Sequence, residues 1–593
     1  GTTGYDFVND LNGLFVATEH EARFDAIFTR FIGASMDFDQ LVRECKHFIM
    51  RTSIASEINS LSHQLERISE RNRHYRDYTL NTIRVALREF IARLSVYRTY
   101  TTPEGKVSDR DRGFVEAAIL QAKRDKSSLP PDLFDFIRDT VLLANLDRFA
   151  PSDRAEVQLW VLRLQQVTGP ITAKGIEDTA FYVYNRFISL NEVGGHPHRF
   201  GLNTTEFHRR NLARLNDWPL AMIGTSTHDT KRAEDVRARL NVLSELPDDW
   251  EKAVESWRGI NQPTRLRHGG DDLISAGDEY LLYQTLVGSW PGGRVRGEAL
   301  AAYRQRIEVY MDKAIKEAKR RTSWLNPVAA YDQAVSRFVG DLLADQPQNR
   351  FLDAFVPFAD RIRRFGRFNS LAQVVLKFTS PGVPDTYQGT EVWDDSLVDP
   401  DNRRAVDYHQ LRHQLGEIRS LESEPDAQRL VQAISGWLDA GDARLKLLIT
   451  SRLLHLRREF GGLKSFDYRP LDPDHPMASL MCAFRRVGPG TELITAACIR
   501  PVAATRQAGE GTAPIGSRVW GDLTLDLDAP APSRWRDLIT GRVLDAEVIA
   551  DQSQMTQMSS ETPGESRVRL KVADLFAILP VAVLRGELLR SDG

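Results

Sequence analysis

Residues 225–232 read Thr-Ser-Thr-His-Asp-Thr-Lys-Arg, and this run decides the fold class of the chain. It follows the apolar run 219–224, which is short enough to be a buried strand. It precedes 233–243, where apolar residues recur on one helical face. A His-Asp pair at the C-terminal end of a strand, just before a helix, lies where a (β/α)8 barrel carries its chemistry. The run predicts an α/β fold with His228 and Asp229 in its functional site.

Asp229 has two interpretations from the residues alone. A carboxylate at such a position can bind sugar hydroxyls and stabilise the positive charge that develops on a sugar ring, and an imidazole beside it suits that reaction. Alternatively, Asp229 caps the helix that follows, which aspartate does well, and His228 is a packing residue. The two interpretations carry similar weight at this point.

The composition limits the partners. The chain has 593 residues, 42% of them hydrophobic, so it can bury a large core, and its length suggests about four domain-sized units. The net charge is −3 and the isoelectric point is near 6.6. No electrostatic argument favours nucleic acid or an anionic membrane surface, so a neutral or small substrate is expected.

The cysteines and the apolar runs indicate a compartment. The three cysteines, Cys45, Cys482 and Cys498, show neither metal-ligand spacing nor a disulfide pattern. A reducing cytoplasm is the expected location. No run approaches the ~18 apolar residues of a membrane span. Because the chain begins at Gly1 inside a motif-like run, we expect a fragment of a longer polypeptide.

The pattern changes several times along the chain. Barrel segments are predicted with helical insertions between them, and polar, Gly- and Pro-containing loops between short apolar runs predict an antiparallel β-domain at the end. The expected divisions are a barrel segment at 1–20, a helical insertion at 21–165, a barrel segment with the candidate aspartate at 166–245, a second helical insertion at 246–365, the last barrel segment at 366–440 and the β-domain at 441–593. Segment 1–20 itself resembles a loop between strand and helix.

Residues 165–195 combine charged and aromatic side chains densely. A sugar site needs this mixture, because aromatic rings cover the apolar face of a pyranose while amides and charges bind its hydroxyls. The alternative is an amphipathic helix capped by Glu177 or Asp178, with Phe181 and Tyr184 in the core. The candidate substrate-binding residues of the block are Lys174, Glu177, Asp178, Phe181, Tyr182, Asn185 and Arg186.

Residues 387–408 form a second polar block, which follows a predicted short strand at 385–389. It holds the runs Tyr-Gln-Gly-Thr-Glu at 387–391 and Asp-Pro-Asp-Asn-Arg-Arg at 399–404. The block is either a turn-rich loop held by Arg-carboxylate pairs or part of the face that holds substrate. We find no phosphate-cradling glycine loop and no convincing metal cluster in the sequence.

Taken together, these motifs resemble those of the maltooligosyltrehalose synthases, a family of the α-amylase superfamily. The resemblance spans residues 1 to about 408, and the last domain matches more loosely. The matching runs are 1–7, 96–100, 173–195, 226–232, 380–391 and 399–408. The blocks at 173–195 and 226–232 are specific to this synthase rather than to amylases at large.

The resemblance implies a fold and a reaction. The fold would be the later part of a (β/α)8 TIM barrel of the α-amylase type with large helical insertions, followed by a C-terminal antiparallel β-sandwich. The reaction would be an intramolecular transglucosylation: the reducing-end α-1,4 linkage of a maltooligosaccharide becomes an α,α-1,1 linkage, giving maltooligosyl trehalose. No cofactor and no metal are implied.

The resemblance also implies roles for individual residues. Asp229 would be the transition-state stabiliser, with His228 as its sugar-binding neighbour. The nucleophile and the acid/base carboxylates match nothing in this chain, so the upstream N-terminal half of the enzyme is the expected partner and the chain alone is predicted to be inactive. Besides the block at 165–195, the expected substrate-binding residues are Tyr5, Lys231, Arg232, Tyr387, Arg403 and Arg404.

Other functions fit the same residues. One is a hydrolase or 4-α-glucanotransferase of the α-amylase superfamily, which would share the barrel and the His-Asp pair. Another is a non-catalytic glucan-binding subunit of a split enzyme, which the missing carboxylates favour. A helical scaffold without a carbohydrate role explains the insertions but not the polar blocks.

Overall fold

A computed structural model describes residues 3–270, 273–509, 511–528, 531–549 and 567–587. The chain divides into two compact units. The first unit comprises Gly1–Ile32, Arg186–Asp312 and Gln333–Gly593, and the second comprises Gly33–Asn185 and Lys313–Asp332.

Helices dominate the first 460 residues, and strands follow. The helices are α1 Tyr5–Leu14, α2 Glu21–Ile32, α3 Phe38–Arg51, α4 Ala55–Glu70, α5 Leu80–Arg93, α6 Asp109–Asp125, α7 Pro131–Val141, α8 Pro151–Ile176, α9 Thr204–Asp217, α10 Glu234–Leu243, α11 Pro247–Arg267, α12 Ala276–Ser289, α13 Gly297–Ala318, α14 Ala329–Leu342, α15 Arg350–Thr379, α16 Tyr408–Glu422, α17 Ala427–Ala440, α18 Ala443–Glu459, α19 Pro501–Thr505, α20 Ser517–Trp520 and α21 Val572–Leu575. The strands are β1 Met222–Ile223, β2 Val383–Pro384, β3 Arg469–Leu471, β4 Met481–Gly488, β5 Thr491–Cys498, β6 Thr524–Leu527, β7 Arg534–Asp537, β8 Val543–Asp545, β9 Glu547–Ile549, β10 Arg567–Lys571 and β11 Val581–Glu587. Within the described ranges, no helix is long and apolar enough to cross a membrane.

The second unit is a helical bundle with its own core. Apolar residues on α4 recur every three or four positions and are buried, as the sequence pattern indicates. Trp160 on α8 is fully buried, and its indole N–H donates to the carbonyl of Leu61 at 2.9 Å. That bond satisfies the polar edge of a large side chain that the core otherwise holds by apolar packing.

Helix α8 runs to Ile176, well past the predicted boundary at 165. The periodicity is obscured because the buried face of its last turns carries polar residues, among them Gln165, Thr168 and Thr172. Two of the three have partners: the Gln165 amide N–H donates to the Thr101 carbonyl, and the Thr168 hydroxyl to the Gln165 carbonyl, both at 3.0 Å. A buried polar group with a partner costs little, so the helix continues where an apolar pattern stops.

Helix α15 likewise crosses a predicted boundary, at 365. Its first half is amphipathic, whereas every residue from Phe368 to Thr379 is buried. The predicted boundary thus coincides with a change of pattern inside one helix.

The two short strands of the first unit pair in parallel, with Met222 opposite Val383 and Ile223 opposite Pro384. The predicted strand at 219–224 is therefore reduced to two residues. The prediction of a strand at 385–389 is wrong: β2 lies directly before that segment, because Gly382 at φ +123° ends the turn after α15 and places Val383 beside β1.

Segment 1–20 is helical rather than a loop. Gly4, at φ +82°, precedes α1, and a Cβ at this position would lie 3.0 Å from the carbonyl oxygen of Met222. Glycine lets the backbone approach β1 so closely, and α1 starts directly after it. Residues Gly1 and Thr2 of the same motif lie outside the described residues.

The C-terminal strands form two antiparallel sheets. The larger sheet has the order β3-β4-β5-β11-β7-β8, and the smaller has the order β6-β10-β9. Side chains of both sheets share one hydrophobic cluster, in which Trp535 of the larger sheet and Leu570 of the smaller are buried. The register of β4 against β5 runs unbroken from Met481–Cys498 to Gly488–Thr491.

A buried carboxyl group beyond α10 gives the fold a pH dependence. Glu245 is 5% exposed, and one oxygen accepts the backbone N–H of Ala503 at 2.9 Å. Burial raises the pKa of Glu245 from its ordinary 4.5 to about 7, an increase that the guanidinium of Arg500 partly offsets. The folded state therefore binds this proton more tightly than the unfolded state does.

The sign of the effect on stability follows. The stability that the protonated group contributes is fully present below pH 4.5 and is lost as the pH rises through 7. Over that rise, the free energy of unfolding of the wild type should fall by up to ~3 kcal/mol more than that of Glu245→Gln. Thermal or urea unfolding of both proteins at pH 5 and pH 8 measures this difference. Glu459→Gln, which alters a half-exposed carboxylate, should keep the wild-type dependence. Parallel pH curves for wild type and Glu245→Gln would contradict the assignment.

Candidate active site

The His-Asp pair lies in the loop between β1 and α10, at the C-terminal end of the strand, where the sequence places it. The His228 Nε2 lies 3.0 Å from an oxygen of Asp229, and the two side chains are 52% and 55% exposed. Asp229 does not cap α10, because four residues lie between it and Glu234, the first residue of that helix, whose N-cap is Ala233. Its carboxylate is thus open to a ligand and is not used to hold the helix.

Hydrogen bonds fix the backbone on both sides of the pair. The Thr227 hydroxyl oxygen accepts the Asp229 N–H at 3.1 Å and lies 3.2 Å from the Tyr5 hydroxyl. The Asn402 amide donates to the carbonyls of Thr227 at 3.4 Å and His228 at 3.0 Å. Tyr5 therefore contacts the loop that carries the His-Asp pair. Three distant parts of the chain thus meet at this loop and hold its backbone in place.

The second half of the loop is held by a buried carboxylate, Glu192. One of its oxygens accepts the Lys231 N–H at 2.7 Å, and the other accepts the Arg232 N–H at 3.3 Å. The guanidinium of Arg237 lies 3.0 Å from the same carboxylate, so the charge is paired inside the protein. Glu192 and Arg237 are 0% and 2% exposed. This buried ion pair therefore supports the loop from inside the protein.

A second buried charge network underlies the start of the loop. The Lys446 ammonium lies 2.7 Å from Glu234 and 2.8 Å from Asp235, and all three side chains are at most 2% exposed. The Thr225 hydroxyl donates to Glu234 and accepts from the Lys377 ammonium at 3.3 Å. The network thus connects α10, α15 and α18 to the first residue of the loop.

The charged groups of this network shift one another's pKa values. Burial alone would raise the pKa of Glu234, but the ammonium groups of Lys446 and Lys377 outweigh burial and hold that pKa well below its ordinary value. Burial raises the pKa of Asp235, an effect that Lys446 partly offsets. Burial lowers the pKa of Lys377, against the attraction of Glu234. A buried cation between two carboxylates is stable only while all partners are present.

The two cationic residues of the loop, Lys231 and Arg232, are both buried. Arg232 is 3% exposed, and its guanidinium donates to the Ile188 carbonyl at 3.1 Å and the Tyr310 hydroxyl at 3.0 Å. Lys231 is 8% exposed. These bonds hold the Arg232 guanidinium within the protein, and the contact of Lys231 and Arg232 with substrate stays a prediction.

The block at 387–408 contacts the loop through Asn402. The Tyr387 hydroxyl donates to the Asn402 carbonyl at 3.1 Å, and burial raises the pKa of Tyr387. Arg403 and Arg404 are 50% and 57% exposed, and each pairs with an aspartate of its own block. A cavity of about 410 Å³ opens beside them, lined in part by Asn402 and Arg404.

The remaining candidate residues divide between the two units. Arg186, in the first unit, is 3% exposed and donates to Asp25 at 2.7 Å and to the Pro197 carbonyl at 2.6 Å. In the second unit, Lys174 is exposed and Asp178 half-buried. The other second-unit candidates are at most 8% exposed: Glu177, Phe181, Tyr182 and Asn185.

The buried aromatic residues of the second unit have protein partners. Phe181 stacks on Phe38 with ring centroids 6.5 Å apart and planes 18° apart. Asn185 donates to the Tyr182 carbonyl at 3.3 Å, and the Tyr97 hydroxyl donates to Glu177. Phe181 and Tyr184 lie together in one small hydrophobic cluster, as the alternative interpretation of this block has it. The role of these residues in binding substrate stays a prediction.

Several residues of the site carry no signal that sequence reasoning used. Glu192 lies inside the block at 165–195, between Asn191 and the apolar Val193. Asn402 lies inside the second polar block. Lys377 and Lys446 lie in helices that look ordinary in the sequence. In the described part of the chain, no group of three or more His, Cys, Asp or Glu side chains could hold a metal ion.

The described structure is mostly helical, with one parallel pair of strands at the site and antiparallel sheets near the C-terminus. It carries a carboxylate and an imidazole, both half-exposed, at the carboxyl end of a parallel strand, on a loop that buried charges hold rigid. This is the position at which barrel enzymes place their catalytic groups.

Comparison with known proteins shows which family the chain resembles. A maltooligosyl trehalose synthase of Mycobacterium tuberculosis is 30% identical over 584 residues, which cover 98% of this chain and 62% of that protein. The structure of maltooligosyltrehalose synthase from Arthrobacter ramosus matches 99% of this chain and 63% of its own, with 29% identity and a TM-score of 0.75. A structure from Sulfolobus tokodaii described as a hypothetical maltooligosyl trehalose synthase matches 98% of this chain and 62% of its own, with 28% identity and a TM-score of 0.67.

The chain is therefore a relative of the maltooligosyltrehalose synthases, and the resemblance seen in its motifs is confirmed. It spans about three fifths of the length of these relatives. Each match runs along nearly all of this chain, so the comparisons give no support to a separate upstream half as a partner. No protein-family model matches the chain.

Proposed function

We propose that this chain is part of an enzyme that converts the reducing-end α-1,4 linkage of a maltooligosaccharide to an α,α-1,1 linkage, giving maltooligosyl trehalose. The observation that carries the proposal is the half-exposed Asp229 beside His228, on a rigid loop at the end of a parallel strand. Such a carboxylate stabilises the oxocarbenium-like charge that forms when the glycosidic bond breaks. The substrate is neutral, in keeping with the net charge of −3.

The reaction places demands on the whole protein. A retaining mechanism needs a nucleophile and an acid/base carboxyl about 5 Å apart. We propose that both belong to the upstream half of the enzyme, joined to this chain, and that the chain alone does not turn over substrate. The released glucose must stay in a closed pocket and attack through its own anomeric hydroxyl, since water would otherwise give free glucose.

The fold we propose is the later part of a (β/α)8 barrel of the α-amylase type, with the C-terminal sheets forming a β-sandwich. Strands β1 and β2 pair in parallel, and α10 follows β1 directly. The apolar side chains near them are exposed: Trp218 by 73%, Leu220 by 59% and Val383 by 46%. Further barrel strands would cover these groups. The shared cluster between the two C-terminal sheets supports the sandwich.

The domain divisions and the cellular location remain proposals as well. The helices α2–α8 and α11–α14 lie within or near the predicted insertions, and the barrel segments at 1–20, 166–245 and 366–440 meet at the loop of Asp229. A reducing cytoplasm suits the three cysteines, all of which are buried and free.

The test measures the products formed from maltopentaose. The chain is assayed alone and joined to the upstream half that we propose it requires, and reducing ends and free glucose are counted together. We expect loss of reducing ends with little glucose from the joined protein, and no turnover from the chain alone. Rising reducing ends would indicate a hydrolase, and longer α-1,4 chains a 4-α-glucanotransferase. Binding without turnover by the joined protein would indicate a glucan-binding subunit.

A further inference from the structure

An exposed tryptophan, outside the motifs that the sequence analysis singles out, stands at the edge of a groove in the second unit. The groove has a volume of about 680 Å³, within the ~300–1,000 Å³ of ligand sites. The ends of α3 and α8 and the loop at 319–326 line it. Trp324 is 55% exposed and Leu325 81% exposed, an unusual placement for two large apolar side chains in succession.

The tryptophan is exposed but held in place. Its indole N–H donates to Glu317 at 3.0 Å, and the Lys316 ammonium lies 4.8 Å from its ring centroid. The turn that carries it is closed by two bonds: the Ser323 N–H donates to the Asn326 carbonyl at 3.2 Å, and the Asn326 N–H to the Ser323 hydroxyl at 3.0 Å. A rigid aromatic platform loses little entropy when a ligand binds to it.

The start of the same loop is tied to the end of α8. The Lys319 ammonium donates to the Asp178 carbonyl at 2.8 Å, the Thr179 hydroxyl at 3.1 Å and a Glu317 oxygen at 3.0 Å. The groove is therefore a fixed feature of the second unit and not a gap between loosely attached segments. The exposed Lys174 lines it as well.

The chemistry of the lining selects a class of ligand. Charges of both signs lie around the aromatic ring: Lys174, Arg320 and Arg321 against Asp178 and Glu317. Lys319 also lines the groove, and its ammonium already donates to Glu317 within the protein. A purely apolar ligand would remove the other charges from water without replacing their bonds. A neutral ligand rich in hydroxyl groups satisfies both donors and acceptors while its apolar face covers the indole.

We propose that this groove, which we call the Trp324 groove, binds a segment of the α-1,4-glucan chain, with one glucosyl ring stacked on Trp324. The choice of glucan rests on the proposed function, whereas the presence of a neutral saccharide site rests on the groove itself. Trp324 then helps to determine which substrate binds, and Glu317 and Lys316 are positioning residues that orient the indole ring of Trp324.

The experiment is calorimetric titration of the 593-residue chain with maltoheptaose. We expect Trp324→Ala to raise the Kd about tenfold or more, because truncation removes the stacking surface. Trp324→Phe keeps an aromatic face and should stay within about threefold of the wild type. The matched control is Trp218→Ala, which removes a tryptophan of the first unit that is 73% exposed and should leave the Kd unchanged. Unchanged thermal unfolding verifies that each variant is folded.

Two results would overturn the proposal: Trp324→Ala binding maltoheptaose as tightly as the wild type, or a wild-type chain that binds none. The outcome is separable from that of the proposed function. Loss of reducing ends in the product assay together with a Trp324-independent Kd removes the Trp324 groove and leaves the synthase. A Trp324-dependent Kd without new α,α-1,1 linkages leaves the saccharide site and removes the synthase.

Discussion

The Asp229→Asn variant of the enzyme that includes this chain is expected to form maltooligosyl trehalose at least ~10²–10³-fold more slowly than the unaltered enzyme, the loss typical when one charge-stabilising group of an active site is removed. The substitution keeps the size of the side chain and removes its negative charge. The carboxylate is 55% exposed, and no helix depends on it, so the fold should be unaffected. The initial rate at which reducing ends disappear from maltopentaose measures the effect.

The chain offers a control with similar geometry. Asp522 also has a histidine neighbour, with His475 Nε2 at 3.4 Å from its carboxylate, and its side chain is 97% exposed. Asp522→Asn should leave both the rate and the midpoint of thermal unfolding unchanged. An Asp229→Asn enzyme with a near-normal rate would refute the role that we assign to Asp229. A slow variant with a lowered unfolding midpoint would instead indicate a structural role.

The sequence was sufficient to find the loop that carries the site. An apolar run, a polar run with His228 and Asp229 and a helical pattern follow each other within 25 residues of chain, and this local order fixes a strand, a loop and a helix. The structure differs in extent, since β1 has two residues and all of α10 is buried. Short strands are specified mainly by their neighbours in the sheet, which a single sequence does not display.

Burial of charge was the main feature that the sequence did not reveal. Glu234 and Asp235 open α10 and look like ordinary acidic residues of a first helical turn, yet both are at most 2% exposed. Their partner Lys446 is more than 200 residues away in the chain. Similarly, Arg232 looks like a surface cation beside a catalytic pair, whereas its guanidinium bonds to the Ile188 carbonyl. Contacts so distant in sequence leave no periodic signal.

The sequence pattern also did not predict where the two compact units divide. The helices at 246–312 belong to the first unit, while the short stretch Lys313–Asp332 belongs to the second. The division therefore falls inside α13 and α14 and not in a loop rich in glycine or proline, which is where composition places boundaries. Trp324 lies in that stretch and belongs to no motif that the sequence analysis found. The binding role that we propose for it depends on the groove that it borders.

The Lys446→Met variant is expected to lower the free energy of unfolding by ~3–5 kcal/mol, because it leaves the carboxylates of Glu234 and Asp235 buried without their cation. Its ammonium is 0% exposed and also donates to the Val392 carbonyl at 3.0 Å. Urea unfolding followed by circular dichroism measures the loss. The control is Lys464→Met, which replaces an exposed lysine and should be nearly neutral.

A triple variant separates lost charge pairing from lost packing around Lys446. Adding Glu234→Gln and Asp235→Asn to Lys446→Met removes the uncompensated charges, so part of the stability should return. No recovery would indicate that packing dominates, and a single variant as stable as the wild type would contradict the pairing itself. Since Thr225 connects Glu234 to the loop of Asp229, Lys446→Met should lower both stability and catalytic rate. Asp229→Asn should lower the rate alone, so the two variants distinguish the groups that support the loop from the group that acts on the substrate.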